Sequence, residues 1–241
     1  MNNCLFLLIF SLLFAPLQAQ QIENEKIRNS EIGFTATDLI NGAYLFTYER
    51  AFGKHIGVRL AAGYKGEEGL IKLSGIDRPQ LQTNELTYSG LKIIPEVRYY
   101  LNEKKNGMTS GFYFGAYLRW VNYKSDLIGT FIDSQDESFD VFYKGKINVA
   151  SLGLMIGYKL KVSNRLGIDF LIAGPGAGNY NFKLDNVIPP PDEFYDELNE
   201  ALKSYSIFDL INADFEFNDN KLRQNTVLPV FRYGITLTYS L

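Results

Sequence analysis

The chain has 241 residues, a formal net charge of −3, one histidine and one cysteine. That balance argues against a nucleic-acid binder, which needs a clustered basic face, and so few His and Cys exclude an ordinary zinc site. Aromatic residues make up 15% of the chain, with 16 Tyr and 18 Phe, a content that suits aromatic girdles at two membrane interfaces once strand repeats are found beside it.

Leu5 to Phe14 is apolar but too short to span a bilayer, and Pro16 and a small-residue site ending at Ala19 follow it. This reads as a secretory signal peptide over 1–19. Met1-Asn2-Asn3 lacks the usual basic residue, and Cys4 lies inside the leader, so the mature chain is expected to carry no thiol, disulfide or Cys nucleophile. A short segment, 20–30, precedes the folded domain, 31–241. No later stretch is long and apolar enough for a membrane helix.

Period-two alternation then appears eight times. Ile32, Phe34 and Ala36 oppose Glu31, Gly33 and Thr35; Tyr44, Phe46 and Tyr48 oppose Thr47 and Glu49. Ile56, Val58, Leu60, Ala62 and Tyr64 oppose Gly57, Arg59, Ala61 and Gly63. Leu91, Ile93, Val97, Tyr99 and Leu101 oppose Lys92, Glu96 and Arg98, with Pro95 expected to mark a bulge. Gly111 to Lys124 sets Phe112, Phe114, Ala116, Leu118 and Trp120 against Gly115 and Arg119. Asn148 to Val162 sets Leu152, Leu154, Ile156, Tyr158 and Leu160 against Ser151, Gly153, Gly157 and Lys159. Leu166, Ile168, Phe170 and Ile172 oppose Gly167 and Asp169. Thr226 to Leu241 closes the series, with Val227, Pro229, Phe231, Tyr233, Ile235, Leu237, Tyr239 and Leu241 on its apolar side.

Eight such strands predict an all-β fold, an eight-stranded antiparallel transmembrane β-barrel with a short helix in its last long outer loop. The connections fall near 39–42, 53–54, 65–86, 102–109, 125–145, 162–164 and 175–225. With both termini periplasmic, the short ones lie inside and, apart from 39–42, the long ones outside, the asymmetry of outer-membrane barrels. In the last loop Asp192 or its neighbour is placed to cap a helix whose one face carries Phe194, Leu198, Ala201 and Leu202. Ten acidic residues and one lysine, Lys203, lie between Asp185 and Asp219. This acidic cap is read as a lid over the barrel mouth, with a docking surface as the other reading.

Ile93-Ile94-Pro95-Glu96-Val97-Arg98-Tyr99-Tyr100-Leu101, Gly111-Phe112-Tyr113-Phe114-Gly115-Ala116-Tyr117-Leu118-Arg119 and Phe231-Arg232-Tyr233-Gly234 resemble an uncharacterised family of small outer-membrane β-barrel proteins of Gram-negative bacteria. The resemblance runs from about residue 30 to the end. It implies fold and location, and it lends no catalytic residues. The end also resembles an outer-membrane assembly signal at Arg232, Gly234, Leu237, Tyr239 and Leu241, although Leu241 stands where many such proteins have Phe. The expected partners are therefore outer-membrane lipid and the assembly machinery.

Ten charged residues share the inward phase: Glu31, Glu49, Arg59, Lys92, Glu96, Arg98, Arg119, Lys159, Asp169 and Arg232. An ion- or solute-selective pore is one reading, and a paired network plugging a narrow lumen is the other. Eight strands enclose room only for side chains, and buried charges must pair, so six basic and four acidic members favour the plug. Lys159 and Asp169 are expected to pair across the turn at 162–164. His55 falls in a periplasmic turn, away from any Ser or Asp partner at the outer rim. Asp209, Asp214, Glu216 and Asp219 lack EF-hand spacing and read as a solvated loop rather than a Ca²⁺ site. Gly174-Pro175-Gly176-Ala177-Gly178 has no following Lys or helix and reads as a flexible strand exit, not a phosphate loop. No catalytic, cofactor or metal residue is assigned. The reading is a non-enzymatic barrel with a structural, adhesive or interaction role through its outer loops; the alternative is a narrow channel or transport component for a small solute.

Overall fold

The computed structural model describes residues 29–67, 69, 75–85, 87–103, 109–186, 190–204, 217–218 and 222–241. The expected leader, nearly all of segment 20–30 and the acidic run Asp209, Asp214, Glu216 and Asp219 lie outside the described residues.

The strands are β1 (Ser30–Thr35), β2 (Ala43–Phe52), β3 (Ile56–Lys65), β4 (Leu81–Thr83), β5 (Thr87–Tyr100), β6 (Gly111–Ile132), β7 (Ser138–Lys161), β8 (Leu166–Asn186) and β9 (Arg223–Ser240), with helix α1 (Glu193–Ser204) before β9. They hydrogen-bond in the order β6-β5-β3-β2-β1-β9-β8-β7, and β7 returns to β6, closing an antiparallel ring of eight. Short β4 is a ninth strand that continues the wall above β5 on the edge of β6. The termini meet at one end, where the Leu241 N–H donates to the Ser30 carbonyl at 3.0 Å. The short turns lie at that same end.

Alternation sorts the side chains across the wall. Phe112, Phe114, Leu118 and Trp120 of β6 face outward and are exposed, as are Phe231, Tyr233, Ile235 and Leu237 of β9. Their inward neighbours, Tyr113, Tyr117, Thr236 and Thr238, are buried. Two inward glycines make room for two tyrosines: Tyr113 lies opposite Gly157 and Tyr117 opposite Gly153. A Cβ at Gly157 would meet the Tyr113 ring and hydroxyl. Gly157→Val is therefore expected to overpack the lumen and cost about 1–3 kcal/mol, read as a lower urea midpoint for loss of the folded, heat-modifiable band on a gel.

Several boundaries differ from the sequence expectation. The segment 125–145 is not a loop: β6 and β7 run on as one hairpin to a tight turn at 133–137, where Asp133 Oδ1 accepts the Gln135 and Glu137 N–H groups at 2.8 and 2.9 Å. The next connection at this end of the ring begins only after Asn186 and ends before Arg223, and the Gly174–Gly178 stretch is paired strand within β8 rather than an exit. Pro95 makes no bulge. It pairs with Leu60, and the β5–β6 register is the same on either side of it, because its missing N–H costs only one rung of the ladder. The irregularity is instead in β8, between Leu171 and Gly174. Ala36 leaves β1 for a 3₁₀ turn, Ala36–Asn41, that ends at Gly42 with φ 71°.

That early end to β1 leaves β9 pairing with it only over Thr236–Ser240. Above Thr236 the free edge of β9 is met by the 3₁₀ turn, with the Ile235 N–H donating to Thr37 Oγ1 at 3.2 Å. Pro229, in register with Ala177 of β8, lies on the part of β9 whose other edge pairs with no strand, a position that tolerates its absent N–H.

The extended wall carries a second core. Phe194, Tyr195, Leu198 and Ala201 of α1 are buried against Ile76, Leu81, Leu127, Phe131, Val141, Tyr143 and Phe217. The wall residues in this set share the inward phase of the lumen, so α1 packs on the concave side of the strands beyond the barrel mouth.

Candidate functional site

The inward phase gathers the charged residues into one column, ordered by strand position from the termini upward. Lowest, the Lys159 ammonium meets Glu31 at 2.5 Å and Glu49 at 3.3 Å. Glu49 Oε1 also accepts the Tyr100 hydroxyl at 2.7 Å and the Thr109 hydroxyl at 3.0 Å.

Arg98 is the hub of the middle layer and is 1% exposed. Its Nε and Nη2 donate to Glu96 Oε2 at 3.0 and 2.6 Å, and its Nη1 donates to Asp169 Oδ2 at 2.8 Å and to Glu49 Oε2 at 3.3 Å. The guanidinium also lies over the Tyr113 ring, 4.4 Å from its centroid. Arg59 binds the same Asp169 oxygen, and its Nη2 donates to Thr236 Oγ1 at 3.0 Å.

Above this, Arg232 donates to Glu96 Oε1 at 2.9 Å and lies over the Tyr117 ring. Lys92 pairs at 2.5 Å with Asp38 of the 3₁₀ turn. Arg119 bonds Ser151 Oγ at 3.0 Å and makes no ion pair among the described residues. Four acids thus meet four bases in the lower and middle layers, counting Arg232, and the cations in excess are displaced upward.

Lys159 and Asp169 are direct cross-strand neighbours in register. The expected ion pair between them is nonetheless not made. Facing strands offer each a closer opposite charge, Glu31 and Glu49 for Lys159, Arg59 and Arg98 for Asp169.

A cavity of about 170 Å³ remains above the middle layer, lined by Arg59, Lys92, Arg98, Arg119 and Arg232 against Asp38 and Glu96. It is a basic cup whose floor is the ion-pair network. Sequence reasoning missed Asp38, which lies in the 3₁₀ turn Ala36–Asn41 just before the expected connection, and the hydroxyls of Tyr100, Tyr113 and Tyr117, which share the inward phase.

His55 Nδ1 is 2.8 Å from the Tyr100 carbonyl oxygen, and its ring stacks on Tyr99, so it fastens a turn. Of the terminal residues singled out, Arg232 and Gly234 face inward, while Leu237, Tyr239 and Leu241 are exposed on the outer face. Among the described residues no group of three His, Asp or Glu is arranged to hold a metal ion.

A closed eight-stranded barrel, apolar outside and ion-paired inside, is the class of molecule these features define. The chain belongs to the family described as protein of unknown function DUF3575, whose model matches residues 46–207. Among solved structures it is similar to CarO of Acinetobacter baumannii, at 13% identity over 91% of this chain and 100% of that one, with a TM-score of 0.40. No curated protein matches it.

Proposed function

We propose that this protein is an integral barrel of the outer membrane of a Gram-negative bacterium, non-enzymatic, with a lumen closed by paired charges. Its termini and short turns face the periplasm, and the β6–β7–β8 wall with α1 stands outside as the part that meets other molecules. Residues 1–19 are its export leader and Arg232, Gly234, Leu237, Tyr239 and Leu241 its assembly signal. Membrane placement is supported by the outward row of exposed apolar side chains on every strand of the ring, which water would not favour over so much contiguous area. The closed lumen is carried by one observation, the Arg98 hub bonded to Glu49, Glu96 and Asp169 across it.

Two measurements test this reading. Carbonate extraction should leave the protein in the membrane pellet, and recovery in the soluble periplasmic fraction would reject it. In a planar bilayer the inserted wild-type protein should be silent. Steady openings whose ion preference reverses in Arg119→Glu would replace the plug with the narrow-channel reading, since Arg119 lines the cup above it.

A further inference from the structure

The register of β6–β9 draws two straight rows across the outer face, just above the apolar band. In the first, Asn122 pairs with Asn148, Asn148 with Asn181, and Asn181 with Asn225. Two residues further from the short turns, Lys124 pairs with Lys146, Lys146 with Lys183, and Lys183 with Arg223. Like charges placed directly opposite on neighbouring strands repel and destabilise a sheet, so three consecutive like pairs call for a counter-charge. Asp185 meets Lys146 at 3.3 Å and also pairs with Lys183. Lys124 and Arg223 make no ion pair among the described residues.

The depth of the rows matters as much as their charge. From Gly111 to Asn122, a strand tilted as in such barrels rises about 25–30 Å, the height of the apolar band of an outer-membrane barrel. Immediately beneath the asparagines is an outward groove of about 460 Å³ beside Leu91, Ile93 and Trp120. Ala150 lies between Trp120 and Asn179 in register, and its small side chain leaves the groove open.

We propose that the two rows and the groove form a binding surface for anionic, phosphate-bearing lipid of the outer leaflet. The phosphates sit on Lys124, Lys146, Lys183 and Arg223, the asparagine amides hydrogen-bond the head group, and an acyl chain lies in the groove. This rests on the outer-membrane reading above, which supplies both the lipid and the orientation.

Trp120 is the chain's only tryptophan and lies in the groove, so its fluorescence reports the lipid beside it. The full-length protein is refolded into phosphatidylcholine bilayers, and phosphatidylglycerol with brominated acyl chains is titrated in. Brominated phosphatidylcholine serves as the zwitterionic reference. Wild-type protein should prefer the anionic quencher about tenfold, falling to near parity in Lys124→Gln/Arg223→Gln, two positions with no ion pair among the described residues. Lys54→Gln at the opposite rim should keep the preference. Equal quenching by both lipids in wild type, or a preference unchanged in the variant with all four cations replaced by Gln, would overturn the proposal. So would loss of the preference on adding inorganic phosphate, which would assign the row to a soluble anion. No quenching by either lipid would instead reject the membrane reading itself, and heat-modifiable migration checks that every variant is folded.

Discussion

Replacing Arg98 with methionine is expected to destabilise the barrel by about 3–5 kcal/mol, the usual cost of breaking a buried charge pair by removing one partner. Arg98 is 1% exposed and is shared by Glu49, Glu96 and Asp169. Methionine keeps much of the apolar stem, so the loss is chiefly electrostatic. Each carboxylate retains another cation, Lys159 for Glu49, Arg232 and the more distant Arg59 for Glu96, and Arg59 for Asp169, yet the four acids then face three bases, Lys159, Arg59 and Arg232. Urea unfolding in lipid vesicles, followed by Trp120 fluorescence and by heat-modifiable migration, measures the effect. Neutralising one acid in the same chain, as Arg98→Met/Glu49→Gln, leaves three acids to three bases with Glu31 still on Lys159, and should recover part of the loss. A single variant within about 1 kcal/mol of wild type would mean that these charges act independently.

The ring of eight was legible because each of its strands turns exposed apolar side chains outward and polar ones into the lumen, which imposes strict alternation. The extensions of β6, β7 and β8 escaped for a physical reason. Beyond Asn122, Asn148 and Asn181 the outward positions turn polar, as at Lys124, Lys146 and Lys183, while the inward ones turn apolar, as at Leu127, Phe131, Val141 and Tyr143. Alternation persists but its apolar phase flips, so a pattern anchored on an apolar outer face stops at the flip. Asp133-Ser134-Gln135-Asp136 then reads as the middle of a loop when it is only the hairpin tip, with Asp136 at φ 63°.

In the lumen the phase of the charged residues followed from period two alone, but the choice of partners did not. Lys159 and Asp169 are neighbours in register, and register says nothing about which of several opposite charges across an enclosed space is nearer. Tertiary closure decides that.

The last expectation separates the outer cap from the barrel. Phe194→Ala should cost the cap about 3–5 kcal/mol, the range for deleting a large buried aromatic. Phe194 is fully buried, stacks on Tyr143 with ring centroids 5.2 Å apart, and meets Phe131 edge-on at 5.7 Å. The rest of α1 depends on the same contacts, because an isolated helix of 12 residues is marginal in water. Its polar ties include Glu193, which accepts from the Ser134 N–H and hydroxyl at 3.1 Å each, Asn199, which bonds both the N–H and carbonyl of Phe217, the Arg78–Glu197 ion pair at 3.6 Å and the Tyr143–Tyr195 hydroxyl contact at 3.2 Å. Among the described residues the barrel below shares no buried residue with this core; its own buried cluster is Leu45, Ala61, Ile94, Tyr100, Tyr113, Tyr117 and Met155. Phe194→Ala should therefore admit protease to the outer wall while leaving the urea midpoint of the membrane-inserted barrel unchanged. Deleting 190–206 should do the same more completely, giving an inserted barrel with an uncovered mouth. If either variant fails to assemble, the packing of α1 on the concave wall is part of the folding core, and the lid reading is wrong.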